Sequence, residues 1–138
     1  MIEPNDGRKI VEPCYDHISG LLGETLFTFL VKNNWIQKRK NQRDYTITKH
    51  GWNELELIGI NIQKLQATKR KQIAPCIERH HGIFHEHPGA YLGALLTDWL
   101  FERGWIIEKA ERQLGITKKG LNGLHSFGVD ISKIKEYL

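Results

Sequence analysis

Cysteine is scarce in this chain: two occur among 138 residues, alongside four prolines and a single methionine. So few thiols exclude a disulfide scaffold and make a reducing compartment the simpler expectation. No uninterrupted apolar run approaches the roughly 18 residues that a membrane helix needs. Nor does the N-terminus offer the basic, apolar and small-residue succession of an export signal. A soluble, cytoplasmic protein is expected. Charge of one sign does not dominate either. Twenty Lys and Arg stand against sixteen Asp and Glu, a formal net charge of +4, which permits nucleic acid as a partner without requiring it. A Gly-rich phosphate loop, a nucleophile elbow and an H-E-x-x-H helix are all missing, so no enzymatic activity is expected. The remainder, 40% hydrophobic and 26% charged, is ordinary for one globular domain.

What the chain does have is internal repetition. "HISGLLGETLFTFLVKNNWI" from His17 aligns with "HPGAYLGALLTDWLFERGWI" from His87, matching Leu22/Leu92, Gly23/Gly93, Leu26/Leu96, Leu30/Leu100, Trp35/Trp105 and Ile36/Ile106. One residue out of step, "ITKHGWNELELIGINIQKL" from Ile47 then lies over "ITKKGLNGLHSFGVDISKI" from Ile116. Cys14 and Cys76 head the two copies, the second with a longer lead-in before its histidine.

Each copy reads as helix, hairpin, helix. Leu22, Leu26, Phe29 and Leu30, and likewise Leu92, Leu96, Trp99 and Leu100, have helical spacing. Asn33-Asn34 and Arg103-Gly104 are suitable stops. "WIQKR" with "DYTIT", and "WIIEK" with "QLGIT", flank polar turns as short hairpins. Thr48 and Thr117 are placed to cap the next helix, and Asn61 and Asp130 to cap a further short one. The expectation is therefore an α+β domain over 1–138. Repeat 1 runs from about 13 to 65, a linker helix from about 62 to 75, and repeat 2 from about 76 to 134. Two winged-helix-like half-repeats would pack about a pseudo-twofold axis, each covering the other's apolar face. Gly20, Gly23, Ala90, Gly93 and Ala94 would let the two long helices cross closely at the centre.

"CYDHISGLLG", "YTITKHGWNEL" and "IGINIQKL", followed by "PCIERHHGIFHEHPGAYLGALL", "ERGWI" and "LGITKKGLNGL", resemble in that order the C-terminal region of a subset of ArsR-type (arsenical-resistance-repressor-type) transcriptional regulators. The resemblance runs from about Pro13 to Ile134. It implies a module for effector sensing, oligomerisation as a homodimer, or auxiliary DNA contact, beside an N-terminal winged-helix DNA-binding domain. Only twelve residues precede Pro13 here, too few to hold that domain.

Two candidate sites stand out. The first hairpin tip carries Lys38, Arg39, Lys40 and Arg43, and the linker adds Lys69, Arg70 and Lys71. A basic wing of this kind suits phosphate contacts, and a stand-alone DNA-binding protein is one alternative reading. The second site is the set Cys14, His17, Cys76, His80, His81, His85 and His87. Cysteine and histidine are the ligands of zinc or a similar ion, and pairing of the copies could join Cys14 and His17 to Cys76 and His87 as a four-ligand set. That would make a metal- or thiol-responsive sensor. Against it, no C-x-x-C pair occurs. Asp16 and Glu78 follow their cysteines at one interval, as residues that cap or orient a helix start would. The favoured expectation is that "CYDH" starts and locks a core helix, with structural hydrogen bonds rather than an ion.

Overall fold

The computed structural model describes residues 9–40, 44–80 and 82–138, His80 without its side chain. The first half runs β1 (Glu12–Cys14), β2 (His17–Ser19), α1 (Gly20–Lys32), β3 (Ile36–Lys38), β4 (Tyr45–Ile47), α2 (Lys49–Leu57) and α3 (Ile62–Ala67). The second repeats the order as β5 (Ala74–His80), β6 (Ile83–Gly89), α4 (Ala90–Glu102), β7 (Ile106–Ala110), β8 (Gln113–Ile116), α5 (Lys118–Ser126) and α6 (Ser132–Lys135). The fold is mixed α+β, and among the described residues the strands pair only within four antiparallel hairpins. None of the described helices is long and apolar enough to cross a membrane.

Local chemistry explains the recurring elements. The Thr48 hydroxyl accepts from the Gly51 amide at 2.8 Å, and that of Thr117 from Gly120 at 2.9 Å, capping α2 and α5 as the sequence suggests. Gly51 and Gly120 are glycines because a Cβ there would strike the carbonyls of Trp35 and Trp105. Those two tryptophans are buried. The helix starts are held differently. The amides of Leu21 and Leu22 donate to the carbonyls of Lys9 and Ile10, and those of Tyr91 and Leu92 to Lys71 and Gln72. The segment preceding each hairpin thus caps the helix leaving it.

One continuous core draws on both halves. Leu21, Leu22, Leu55, Leu65, Leu92 and Ile134 are fully buried, each contributing about 1.5–3 kcal/mol of transfer free energy. At one end Phe29, Trp35, Trp99, Trp105 and Phe127 pack edge to face, with centroids 5.0–6.4 Å apart. The Trp99 indole donates to the Ile58 carbonyl at 2.8 Å and carries the Arg103 guanidinium on its face.

Three expectations need correction. First, the small residues of α1 and α4 do not serve a close crossing of those helices. α1 lies chiefly against β6 and α4 against β2, so each helix rests on the other half's hairpin. Second, the linker helix stops at Ala67, and a non-helical segment with bends at Lys69, Arg70 and Gln72 leads into β5. Third, "CYDH" is no helix start. It is a tight hairpin completed before α1 begins at Gly20, with Tyr15 at φ 54° in its turn.

Candidate metal centre

Antiparallel pairing places directly opposed residues on the same face of a hairpin. In β1–β2 the opposed pair is Cys14 and His17, and in β5–β6 it is Cys76 and His87. Each hairpin therefore presents one thiol and one imidazole side by side, at unequal sequence spacing. The packing of α1 on β6 and of α4 on β2 then brings the two pairs face to face.

Two glycines make room. A Cβ on Gly23 would lie 2.8 Å from the His87 Cβ. One on Gly93 would lie 2.4 Å from the Pro88 carbonyl and 3.4 Å from the His17 Cβ. Gly23 and Gly93 occupy matching places in the two halves; Gly23 admits the opposing hairpin, whereas the tightest approach at Gly93 is by the Pro88 carbonyl of its own hairpin, with His17 of the opposing one in contact beyond it. A further tie is the Thr97 hydroxyl, which accepts the Ile18 amide at 3.0 Å and pins β2 to α4.

The ligand atoms of Cys14, His17, Cys76 and His87 all lie within 4.8 Å of one another. The two Sγ atoms are 3.8 Å apart and the two Nε2 atoms 3.2 Å apart. Typical zinc–sulfur and zinc–nitrogen bonds in a regular tetrahedron give edges of about 3.8 Å for S···S and about 3.3 Å for N···N. The histidines are 8% and 1% exposed, whereas both cysteines are partly open.

Second partners fix the imidazoles. Nδ1 of His17 meets Asp16 Oδ1 at 3.2 Å, and Nδ1 of His87 meets Glu78 Oε1 at 3.2 Å. A carboxylate only accepts, so each Nδ1 donates, and the two Nε2 atoms are left facing each other. Two Nε2 atoms 3.2 Å apart in a buried site suit either a shared proton or a metal ion between them. Both carboxylates reach further. Asp16 Oδ2 accepts from Arg70 at 2.8 Å, and Glu78 Oε1 accepts from the Gly20 amide at 3.0 Å. The Arg70 hydrogen bond holds the Asp16 carboxyl below the usual carboxylate range. Burial, aided by Cys76, pushes the Cys14 thiol up to about 11.

The other residues singled out in the sequence lie elsewhere. His85 bonds Glu24 at 2.7 Å, outside the four-residue set. His81, Arg43 and the His80 side chain fall outside what is described. Arg70 is engaged by Asp16 and stacks on Tyr91, and Lys71 pairs with Asp44 at 2.7 Å. Lys38, Arg39, Lys40 and Lys69 are exposed. The sequence points to Gly23 and Gly93 only as helix-crossing residues and does not single out Thr97. The signal for Thr97 was a hydroxyl in a helix apolar around most of its circumference, where the first half has Phe27.

No family model matches the chain, and no solved structure matches it significantly. Among curated proteins it is similar to a protein of Bacillus subtilis (strain 168) described as the uncharacterized HTH-type transcriptional regulator YdfF, at 32% identity over 112 residues. That alignment takes in 78% of this chain and 46% of the relative, so the chain spans about half the length of the protein it matches. The similarity points to a transcription-regulator family.

Proposed function

We propose that this chain is the zinc-binding module of an HTH-type transcriptional regulator of the ArsR type. Its two winged-helix-like halves are clamped by one ion on Cys14, His17, Cys76 and His87. The observation that carries the reading is the meeting of two buried Nε2 atoms with two thiols, at separations equal to the edges of a ZnS₂N₂ tetrahedron. Two thiolates and two imidazoles favour zinc over hard cations such as magnesium, which take oxygen ligands. Asp16 and Glu78 act as the carboxylates that orient zinc-bound histidines elsewhere. Because each half supplies one cysteine and one histidine, occupancy sets how firmly the halves are held together, and that is a means of regulation.

The test is metal content. Protein purified without chelator is expected to hold one equivalent of zinc, and cobalt substitution to give the absorption of a tetrahedral thiolate site. Cys14→Ser and His87→Ala should each lose the metal. Zinc at a hundredfold excess over its Kd should stabilise the chain by about 2.7 kcal/mol. A chain that takes up neither zinc nor cobalt refutes the reading.

A second reading, contact with nucleic-acid phosphates, has its own observation. The Lys71–Asp44 pair brings the linker beside hairpin β3–β4, on which Lys38, Arg39 and Lys40 are exposed. Phosphate contact of this kind positions a protein without reading sequence.

A further inference from the structure

We infer that the sulfur edge of this centre is an oxidation site: a peroxide converts Cys14 and Cys76 to an intramolecular disulfide that takes the place of the ion. The inference rests on the zinc reading above and adds a regulatory input to it. The two Sγ atoms are 3.8 Å apart, and an S–S bond is about 2.0 Å long, so less than 2 Å of closure is needed. The chain has no third cysteine to compete.

Exposure in the centre is lopsided. His17 and His87 are sealed, with Gly93 of α4 and Gly23 of α1 packed against their Cβ atoms, whereas both cysteines are partly open to solvent. An oxidant arriving from solvent therefore meets sulfur first. Cys14 lies on β1 and Cys76 on β5, so the disulfide joins the same two hairpins that the ion joins. The oxidised, metal-free form keeps the link between the halves and gives up the imidazole contacts.

The chemistry balances with hydrogen peroxide or an organic hydroperoxide as oxidant. One thiolate attacks a peroxide oxygen, an S–O bond forms, the O–O bond breaks, and the departing hydroxide or alkoxide takes a proton from solvent. The second thiolate attacks the sulfenic sulfur. An S–S bond forms, the S–O bond breaks, and hydroxide leaves as water after protonation. Two electrons pass from the sulfurs to the peroxide, and zinc, left with two imidazoles, dissociates.

The experiment begins with zinc-loaded full chain and a chromogenic zinc chelator, to which hydrogen peroxide is added. The expected result is release of one zinc per chain in step with the loss of two thiols. Intact mass should fall by two hydrogens, and non-reduced peptide maps should join Cys14 to Cys76. Dithiothreitol should restore zinc binding. Cys76→His keeps four ligands and is expected to hold zinc but to form no intramolecular disulfide and show no reversible release. A loaded chain that keeps zinc and both thiols in peroxide overturns the inference and leaves the zinc reading standing. So does one that loses zinc only through irreversible sulfinic acid. A chain that takes up no zinc at the outset removes both.

Discussion

Gly23→Ala tests the packing on which the centre depends. In an ordinary exposed helix this change stabilises by about 1 kcal/mol, since alanine is the better helix former. Here the new Cβ would lie 2.8 Å from the His87 Cβ and 3.2 Å from the Ile18 carbonyl. Carbon atoms rest at about 3.5–4.0 Å, so His87 must retreat by roughly 0.7–1.2 Å. Metal–ligand distances tolerate only about 0.2 Å, several times less than that displacement. Overpacking costs about 1–3 kcal/mol, which cancels or outweighs the gain in helix propensity, so the metal-free protein should melt at the same temperature or a few degrees lower. Zinc affinity should change more, by at least the 10- to 100-fold typical of losing an orienting partner, or about 1.4–2.8 kcal/mol. Competition with a chromophoric chelator reads the affinity, and melting curves with and without zinc read the stability. A Gly23→Ala chain that binds zinc within about threefold of wild type would show that His87 is not held where the argument requires.

Zinc affinity should rise with pH. The metal-free Cys14 thiol, raised to about 11, keeps its proton at neutral pH, and binding must displace it, which gives about a tenfold stronger apparent affinity per pH unit from this group alone. Calorimetry in buffers of different ionisation heat would count the protons released, and an affinity flat from pH 6 to 8 would contradict the assignment. Thr117→Ala removes both the cap on Gly120 and the hydroxyl donated to the Gly104 carbonyl at 2.7 Å. It should cost about 1–2 kcal/mol in denaturant unfolding and leave zinc affinity unchanged. If the basic surface contacts DNA, alanine at Lys38, Arg39 and Lys40 should make the log–log salt dependence of duplex binding shallower by about 2.7. An unchanged slope would remove those residues from the interface.

The repeated order of elements was legible because it is written in local chemistry: Thr48 and Thr117 before glycines, Trp35 and Trp105 at helix ends, apolar residues at helical spacing. The four residues of the centre were legible as a set for a different reason, since duplication suggested that like would meet like. What could not be read was the local structure carrying them. Cys14 and His17 stand three apart, which is one helical turn, yet it is equally the spacing of opposed residues across a two-residue hairpin loop. Cys76 and His87 stand eleven apart, which on a helix is about three turns and about 16 Å of rise, too far to meet, but they are opposed across a longer hairpin. Only the hairpin accounts for both pairs. The role of Gly23 and Gly93 was misassigned on similar grounds. A small residue on an apolar helix marks a close approach without naming what approaches, and periodicity favours another helix. It was a hairpin instead, the opposing one at Gly23 and chiefly its own at Gly93, so the glycines that had suggested helix crossing line the four-residue cluster. Asp16 and Glu78 followed from that change. On a helix start a carboxylate beside the cysteine caps backbone amides. On a hairpin beside an imidazole it fixes a tautomer, and with both Nδ1 atoms protonated the paired Nε2 atoms are left facing each other. The case for an ion thus rests on the convergence of two thiols and two imidazoles in the folded chain, a geometry that spacing alone does not carry.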